Sequence, residues 1–239
     1  DAVEAARRGI LVGHTPDVLN NEVADTTIML WLATSKHMVQ GDAWARSGAW
    51  EEKGNYPLTK SVRNRTVGIL GLGRIGQTIA EMASMFDARI IYHTRSEKDV
   101  PYTYYGDLVA MAQDADVLVV ITPGGAATKH LVNEEVMNAL GPEGILVNVA
   151  RGSVVDESAL IAALQEGRLG GAGLDVFEGE PHIPDALKAL DNVVLAPHIG
   201  SATVETRDAM GALVAENLES WLASGTIKAC VPECQHLNG

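Results

Sequence analysis

Gly71-Leu72-Gly73-Arg74-Ile75-Gly76 forms a G-x-G-x-x-G pattern between an apolar run at 66–70 and a helical stretch at 75–86. Glycine-rich turns are common, so the pattern informs only through this strand-before, helix-after context. In that context Gly71 permits a tight turn, Gly73 lets the backbone approach a pyrophosphate, and Gly76 lets the helix pack closely on the strand. The helix N-terminus would hold the phosphates with its free amides and partial positive charge. The next apolar run, 89–92, ends in His93-Thr94-Arg95-Ser96. A site for NAD places Asp or Glu near such a tip, to accept from the ribose 2′-hydroxyl. None stands there. Arg95 can instead pair with a 2′-phosphate, Thr94 and Ser96 can donate hydrogen bonds, and His93 would line the adenosine pocket. NADP(H) is therefore expected ahead of NAD; a purely structural turn and a solvated arginine are the alternatives.

The elements that must position these residues are short. Apolar, β-branched runs at 66–70, 89–92, 116–121, 144–149, 172–176 and 193–196 are separated by helical stretches at 106–114, 134–140 and 156–167. Asp156 opens the last of these as an N-cap with acids in its first turn. Strands without polar alternation are buried on both faces, so the expected fold is an α/β, doubly wound parallel sheet of Rossmann type. Thr122 and Pro123 then follow a strand at its carboxyl end, where ligands bind in such sheets. The flanks differ. Ile10-Leu11-Val12 reads as one short strand, and 23–39 as a helix apolar nearly all round, buried between domains or subunits. A final amphipathic helix at 205–224 closes at Gly225. The division expected is 1–16, a remnant of a second domain; 17–206, the dinucleotide-binding domain; and 207–239, a helix and tail returning to the second domain.

With 46% hydrophobic residues in 239, the chain can bury an ordinary core. Its net charge of −13 and lack of any Lys/Arg run argue against nucleic acid. No apolar run is long enough to cross a membrane, and the start, Asp1-Ala2-Val3-Glu4, carries no secretory signal, so a cytoplasmic protein is expected. Cys230 and Cys234 are read as reduced thiols, since two ligands do not make a metal site. No metal is expected.

Four segments in order resemble the D-isomer-specific 2-hydroxyacid dehydrogenase family. They are the glycine motif at 71–76; Asn148-Val149-Ala150-Arg151-Gly152 with Val155-Asp156-Glu157; Gly173-Leu174-Asp175-Val176-Phe177-Glu178-Gly179-Glu180-Pro181; and Pro197-His198-Ile199-Gly200-Ser201-Ala202-Thr203. Within the family, His93-Thr94-Arg95-Ser96 and Thr122-Pro123-Gly124-Gly125 look most like NADPH-preferring glyoxylate/hydroxypyruvate reductases. The resemblance implies a catalytic triad of Arg151, Glu180 and His198. Histidine suits proton delivery to a developing alkoxide near neutral pH. A carboxylate beside the ring favours its charged form, and a guanidinium fork suits a substrate carboxylate or carbonyl. By the same resemblance Thr122, Pro123, Thr128, Val149, Ala150, Arg151, His198 and Gly200 would contact the cofactor. Asp175 would receive the nicotinamide carboxamide, its plain alternative being a capping acid. The other histidines, His14, His37, His130, His182 and His236, sit in no motif and are assigned no role.

Members of this family begin with a substrate-binding domain, and residues 1–9 resemble its last helix, so most of that domain is expected upstream. The expected activity is reduction of a small 2-oxo acid to the D-2-hydroxy acid by a homodimer, the buried helix at 23–39 suggesting the dimer. Rival expectations are a dinucleotide-sensing, corepressor-like interaction protein, and a family member specific for another 2-hydroxy acid.

Overall fold

Gly71 can serve a phosphate only if the strand before it stops level with its neighbours, and the sheet meets that condition. In the computed structural model, which describes residues 1–239, seven strands are β1 (Thr66–Leu70), β2 (Arg89–His93), β3 (Thr103–Tyr104), β4 (Val117–Val120), β5 (Ile145–Asn148), β6 (Gly171–Leu174) and β7 (Val193–Leu195). They lie in the order β3-β2-β1-β4-β5-β6-β7, and every pairing is parallel. The register aligns His93 with Leu70, Leu70 with Val120, Val120 with Asn148, Asn148 with Leu174, and Leu174 with Leu195. Six strands thus end in one row, and their loops leave the sheet along a single edge. Between β1 and β4 the strand order reverses direction, which opens the crevice such sheets use for ligands.

The strand runs lack alternation because both faces are covered: β4 and β5 are buried throughout. The covering helices are α5 (Arg74–Ser84), α6 (Leu108–Asp114), α7 (Glu134–Leu140) and α8 (Glu157–Gln165). Asp107, Asn133 and Asp156 cap the last three by accepting the amides of Ala110, Val136 and Ala159. α5 has Gly73 at that position and no side-chain cap.

Three expectations are corrected. The helix read over 23–39 ends earlier, as α2 (Asn20–Ser35). His37 then adopts a left-handed conformation, φ 49°, and a separate helix α3 (Met38–Arg46) starts after it. α2 is buried within its own domain, on β6: side chains added at Gly171 and Gly173 would meet Thr34 and Leu30 at 3.1 and 3.0 Å. Its burial therefore supplies no argument for a dimer. Ile10-Leu11-Val12 joins no strand ladder; only an antiparallel bridge between Gly13 and Cys230 forms there. β3, two residues long, was not foreseen, nor was α4 (Ala49–Lys53).

Residues 23–200 form one compact unit containing the whole sheet, where the sequence reading gave 17–206. Residues 1–22 and 201–239 form the other, with α1 (Ala2–Arg7) and α10 (Val204–Ser224). The tail closes this smaller unit: Val231 N–H donates to Val12 and His14 N–H to Ala229, while the Asn217 side chain accepts from Ala229. Cys230 and Cys234 are buried there as free thiols. A groove of about 660 Å³ within the unit is lined by apolar side chains including Ile10, Leu11, Leu218, Trp221 and Ile227. None of the residues expected to perform chemistry lines it.

Candidate active site

The turn after β1 is built from contacts that exclude side chains. Gly71 N–H donates to His93 O at 3.0 Å, tying the turn to the end of β2. Gly71 has φ 105°, and a Cβ there would stand 2.7 Å from the Thr122 amide nitrogen. The left-handed conformation alone would cost another residue about 1–3 kcal/mol. A Cβ on Gly76 would collide with the Gly71 carbonyl, so α5 can sit this tightly only with glycine. Gly73 is different: nothing lies within 4 Å of its would-be Cβ, and it is the uncapped start of α5. An open approach, an uncapped helix N-terminus and a glycine turn fit a pyrophosphate. Leu72 anchors the turn in the core, Arg74 is exposed and Ile75 half-buried.

At the end of β2, the His93 ring is fixed by Nδ1, 2.8 Å from the Tyr105 carbonyl. A carbonyl only accepts, so Nδ1 carries the hydrogen. Thr94 donates its hydroxyl hydrogen to Ser96 O at 2.7 Å. That hydrogen is spent within the loop, so the anion-binding capacity expected of Thr94 falls to its neighbours. Arg95 and Ser96 are exposed, and Arg95 makes no ion pair.

The loop leaving β4 runs from Thr122 and Pro123 to Thr128, whose hydroxyl donates to Pro123 O at 2.7 Å and closes it. A Cβ on Gly124 would meet Arg151 Cγ at 2.8 Å, so this loop lies on the arginine stem. Val149 and Ala150, after β5, are buried. Asn148, a motif residue to which no role is assigned from sequence, holds the turn: its Oδ1 accepts from Ala150 and its Nδ2 donates to the Arg151 carbonyl, both at 3.1 Å. Arg151 itself bends back to donate to Ala150 O at 2.6 Å.

The remaining groups meet beyond β6 and β7. Glu180 accepts from the Phe177 amide through Oε1 at 2.9 Å, and its Oε2 lies 2.7 Å from His198 Nδ1. His198 has φ 54°, an unusual conformation that histidine tolerates better than most. Asp175 fixes the residues after it, accepting from Ile199 at 2.7 Å through Oδ1 and from Gly200 at 2.8 Å through Oδ2. A Cβ on Gly200 would press on that carboxylate at 2.9 Å. Asp175 is 2% exposed, and burial pushes its pKa up against the lowering effect of the two amides. Its observed task is therefore to anchor the His198 loop; only its remaining lone pairs are left for a ligand. For Glu180, burial raises the pKa, but the His198 hydrogen bond, the Phe177 amide and the charges of His198 and Arg151 together outweigh it. The carboxyl is held below its ordinary range. Its pairing thus contributes fully above that range and is lost as pH falls through the lowered value. The 2.7 Å contact engages Nδ1, and the half-exposed His198 ring keeps Nε2 outside this pair. No three His, Cys, Asp or Glu side chains are grouped to hold a metal ion.

Residues 28–200 match the family model described as D-isomer specific 2-hydroxyacid dehydrogenase, NAD binding domain. Hydroxyphenylpyruvate reductase of Plectranthus scutellarioides is 50% identical over 92% of this chain and 70% of its own length. Glyoxylate/hydroxypyruvate reductase A of Arabidopsis thaliana is 51% identical with the same coverage. The crystal structure of NADPH-dependent glyoxylate/hydroxypyruvate reductase from Sinorhizobium meliloti, in complex with NADP and malonate, superposes with a TM-score of 0.94. It shares 50% identity and covers 98% of this chain and 74% of that one.

Proposed function

Because this chain belongs to the D-isomer-specific 2-hydroxyacid dehydrogenase family, we propose that it reduces glyoxylate and hydroxypyruvate with NADPH, giving the D-2-hydroxy acid where the product is chiral. The observation that carries this reading is the Glu180–His198 pair, an ionised carboxylate on Nδ1 with Nε2 outside the pair. Bound at the glycine turn, the reduced nicotinamide dinucleotide supplies a hydride. Everything else falls to the chain. His198 delivers the proton from Nε2 to the oxygen of the reduced carbonyl. Glu180 orients the ring through its contact with Nδ1. Arg151 swings from Ala150 O to pair with the substrate carboxylate or polarise its carbonyl. Gly71, Leu72, Gly73, Arg74, Ile75 and Gly76 form the pyrophosphate turn, and His93, Thr94, Arg95 and Ser96 face the adenosine end. Thr122, Pro123, Thr128, Val149, Ala150, Asp175 and Gly200 complete the cofactor crevice from the aligned strand ends.

Steady-state oxidation of NADPH and NADH with glyoxylate, hydroxypyruvate and phenylpyruvate tests the reading. Turnover preferring NADPH and the two small acids supports it. Tight dinucleotide binding without turnover on any of them would replace it with the sensing, corepressor-like reading. Glu180→Gln adds a sharper check. Since reduction needs a protonated ring, activity falls as pH rises, and removing the Glu180 charge should bring that fall at lower pH. An alkaline limb that stays in place would take Glu180 out of the proton-delivery pair.

A homodimer fits a different observation from the one first expected. Met29, Met38, Val39, Trp50 and Leu58 are exposed, all between residues 29 and 58 of one unit. We assign this segment to self-association, to be checked by sedimentation at micromolar concentration. No helix is long and apolar enough to cross a membrane, and the two free thiols suit a reducing, cytoplasmic compartment.

A further inference from the structure

His130 was assigned no role from the sequence, yet three of the loops described above meet on it. Its backbone continues the β4 loop that Thr128 closes. Its N–H donates to Ser153 O at 2.9 Å, and Val132 N–H to Val154 O at 3.0 Å. These bonds zip the segment onto the turn that follows Arg151. Its side chain turns the other way: Nε2 makes a short hydrogen bond to Glu178, and Nδ1 lies 3.9 Å from Asp156, the cap of α8. Glu178 in turn donates its N–H to Glu157 at 3.2 Å. Gly152 packs so closely on the Phe177–Glu178 peptide that any Cβ would overlap it. Two residues on, Glu180 reaches His198.

We propose that His130 is a positioning residue: it pins the 177–180 loop to the Arg151 turn, and so sets Glu180 against His198. This rests on the reductase reading for its catalytic consequence, though not for the clamp itself. The electrostatics supply the reason a histidine is needed. Glu178, Glu157 and Asp156 crowd one spot, and like charges this close repel. Burial pushes the Glu157 pKa up and the Glu178 charge adds to it, against the Glu178 amide and the charge of His182. The imidazole is the one donor side chain hydrogen-bonded to this group, and it sits among the carboxylates with φ 51°. Without it, Glu178 is repelled from α8, and the peptide that holds Glu180 Oε1 moves with it.

The test compares His130→Ala with His130→Gln in the full chain. Both carry a Cβ, so the cost of the left-handed backbone is common to them, while only glutamine can donate to Glu178. Amide hydrogen exchange is read over 176–180, alongside kcat, KM and the pH profile. The alanine variant should speed exchange in that segment and leave β5 unaffected. It should lower kcat about tenfold to a hundredfold, the scale of misplacing a reacting group by roughly 1 Å. It should also bring the alkaline limb to lower pH, as is expected of Glu180→Gln, with coenzyme binding retained. Glutamine should restore most of each. Unchanged exchange in the alanine variant would overturn the clamp. Faster exchange with unchanged kcat and pH limb would overturn its action through Glu180. If the wild-type protein turns over no 2-oxo acid, the reductase reading falls, while the exchange data still decide the clamp.

Discussion

His198→Ala should lower kcat for 2-oxo acid reduction by about 10²- to 10⁴-fold, the usual contribution of a positioned acid–base group, while coenzyme still binds. The separation follows from where the groups lie. The coenzyme's phosphates are assigned to the turn after β1, whose contacts run to His93 and Thr122. His198 is held from the other side, by Glu180 and by Asp175 through Ile199 and Gly200. Removing the ring takes away a proton donor and leaves the phosphate turn intact. Binding titrations and steady-state rates measured on the same preparation check both halves. A comparable loss in both would mean that the histidine supports the pocket rather than the proton transfer.

Arg95→Ala should weaken NADPH about tenfold to a hundredfold and leave NADH nearly unchanged, the worth of one or two hydrogen bonds to a charged group. Arg95 is the exposed, unpaired cation at the tip of β2, and Thr94 has spent its hydroxyl hydrogen within the loop. The burden of recognising a 2′-phosphate therefore falls on Arg95 with Ser96. Because the site is open to solvent, the NADPH advantage should also shrink as salt rises. Equal losses for both coenzymes would sink the assignment.

Most of the frame was legible because it is local. Continuous apolar runs between helical stretches announce strands buried on both faces, and Asp156 and Gly225 announce helix ends by their own chemistry. The glycine motif was legible because Gly71 and Gly76 answer steric demands within six residues of chain or one neighbouring strand, while Gly73 leaves the helix N-terminus open. What escaped depends on distance or on a break without punctuation. At His37 the helix breaks with no Gly or Pro, and Met38 and Val39 beyond it look like core residues although both are exposed. His130 finds Glu178 across 48 residues, and Asp175 finds Ile199 across 24. Neither pairing leaves a trace in local spacing. The proposed catalytic trio was nameable only through resemblance, since an isolated Arg, Glu or His has an ordinary surface explanation at each position.

The central claim, hydride transfer to C2 of a 2-oxo acid with the proton drawn from His198, is tested most directly by isotope transfer. NADPH deuterated at the transferring position of the nicotinamide C4 is incubated with glyoxylate and the protein in ordinary water, and the product is read by mass spectrometry. The account predicts glycolate carrying one deuterium at C2, formed at a rate that collapses in His198→Ala. Bound NADPH with no labelled glycolate, or label transfer that survives His198→Ala unchanged, would contradict it.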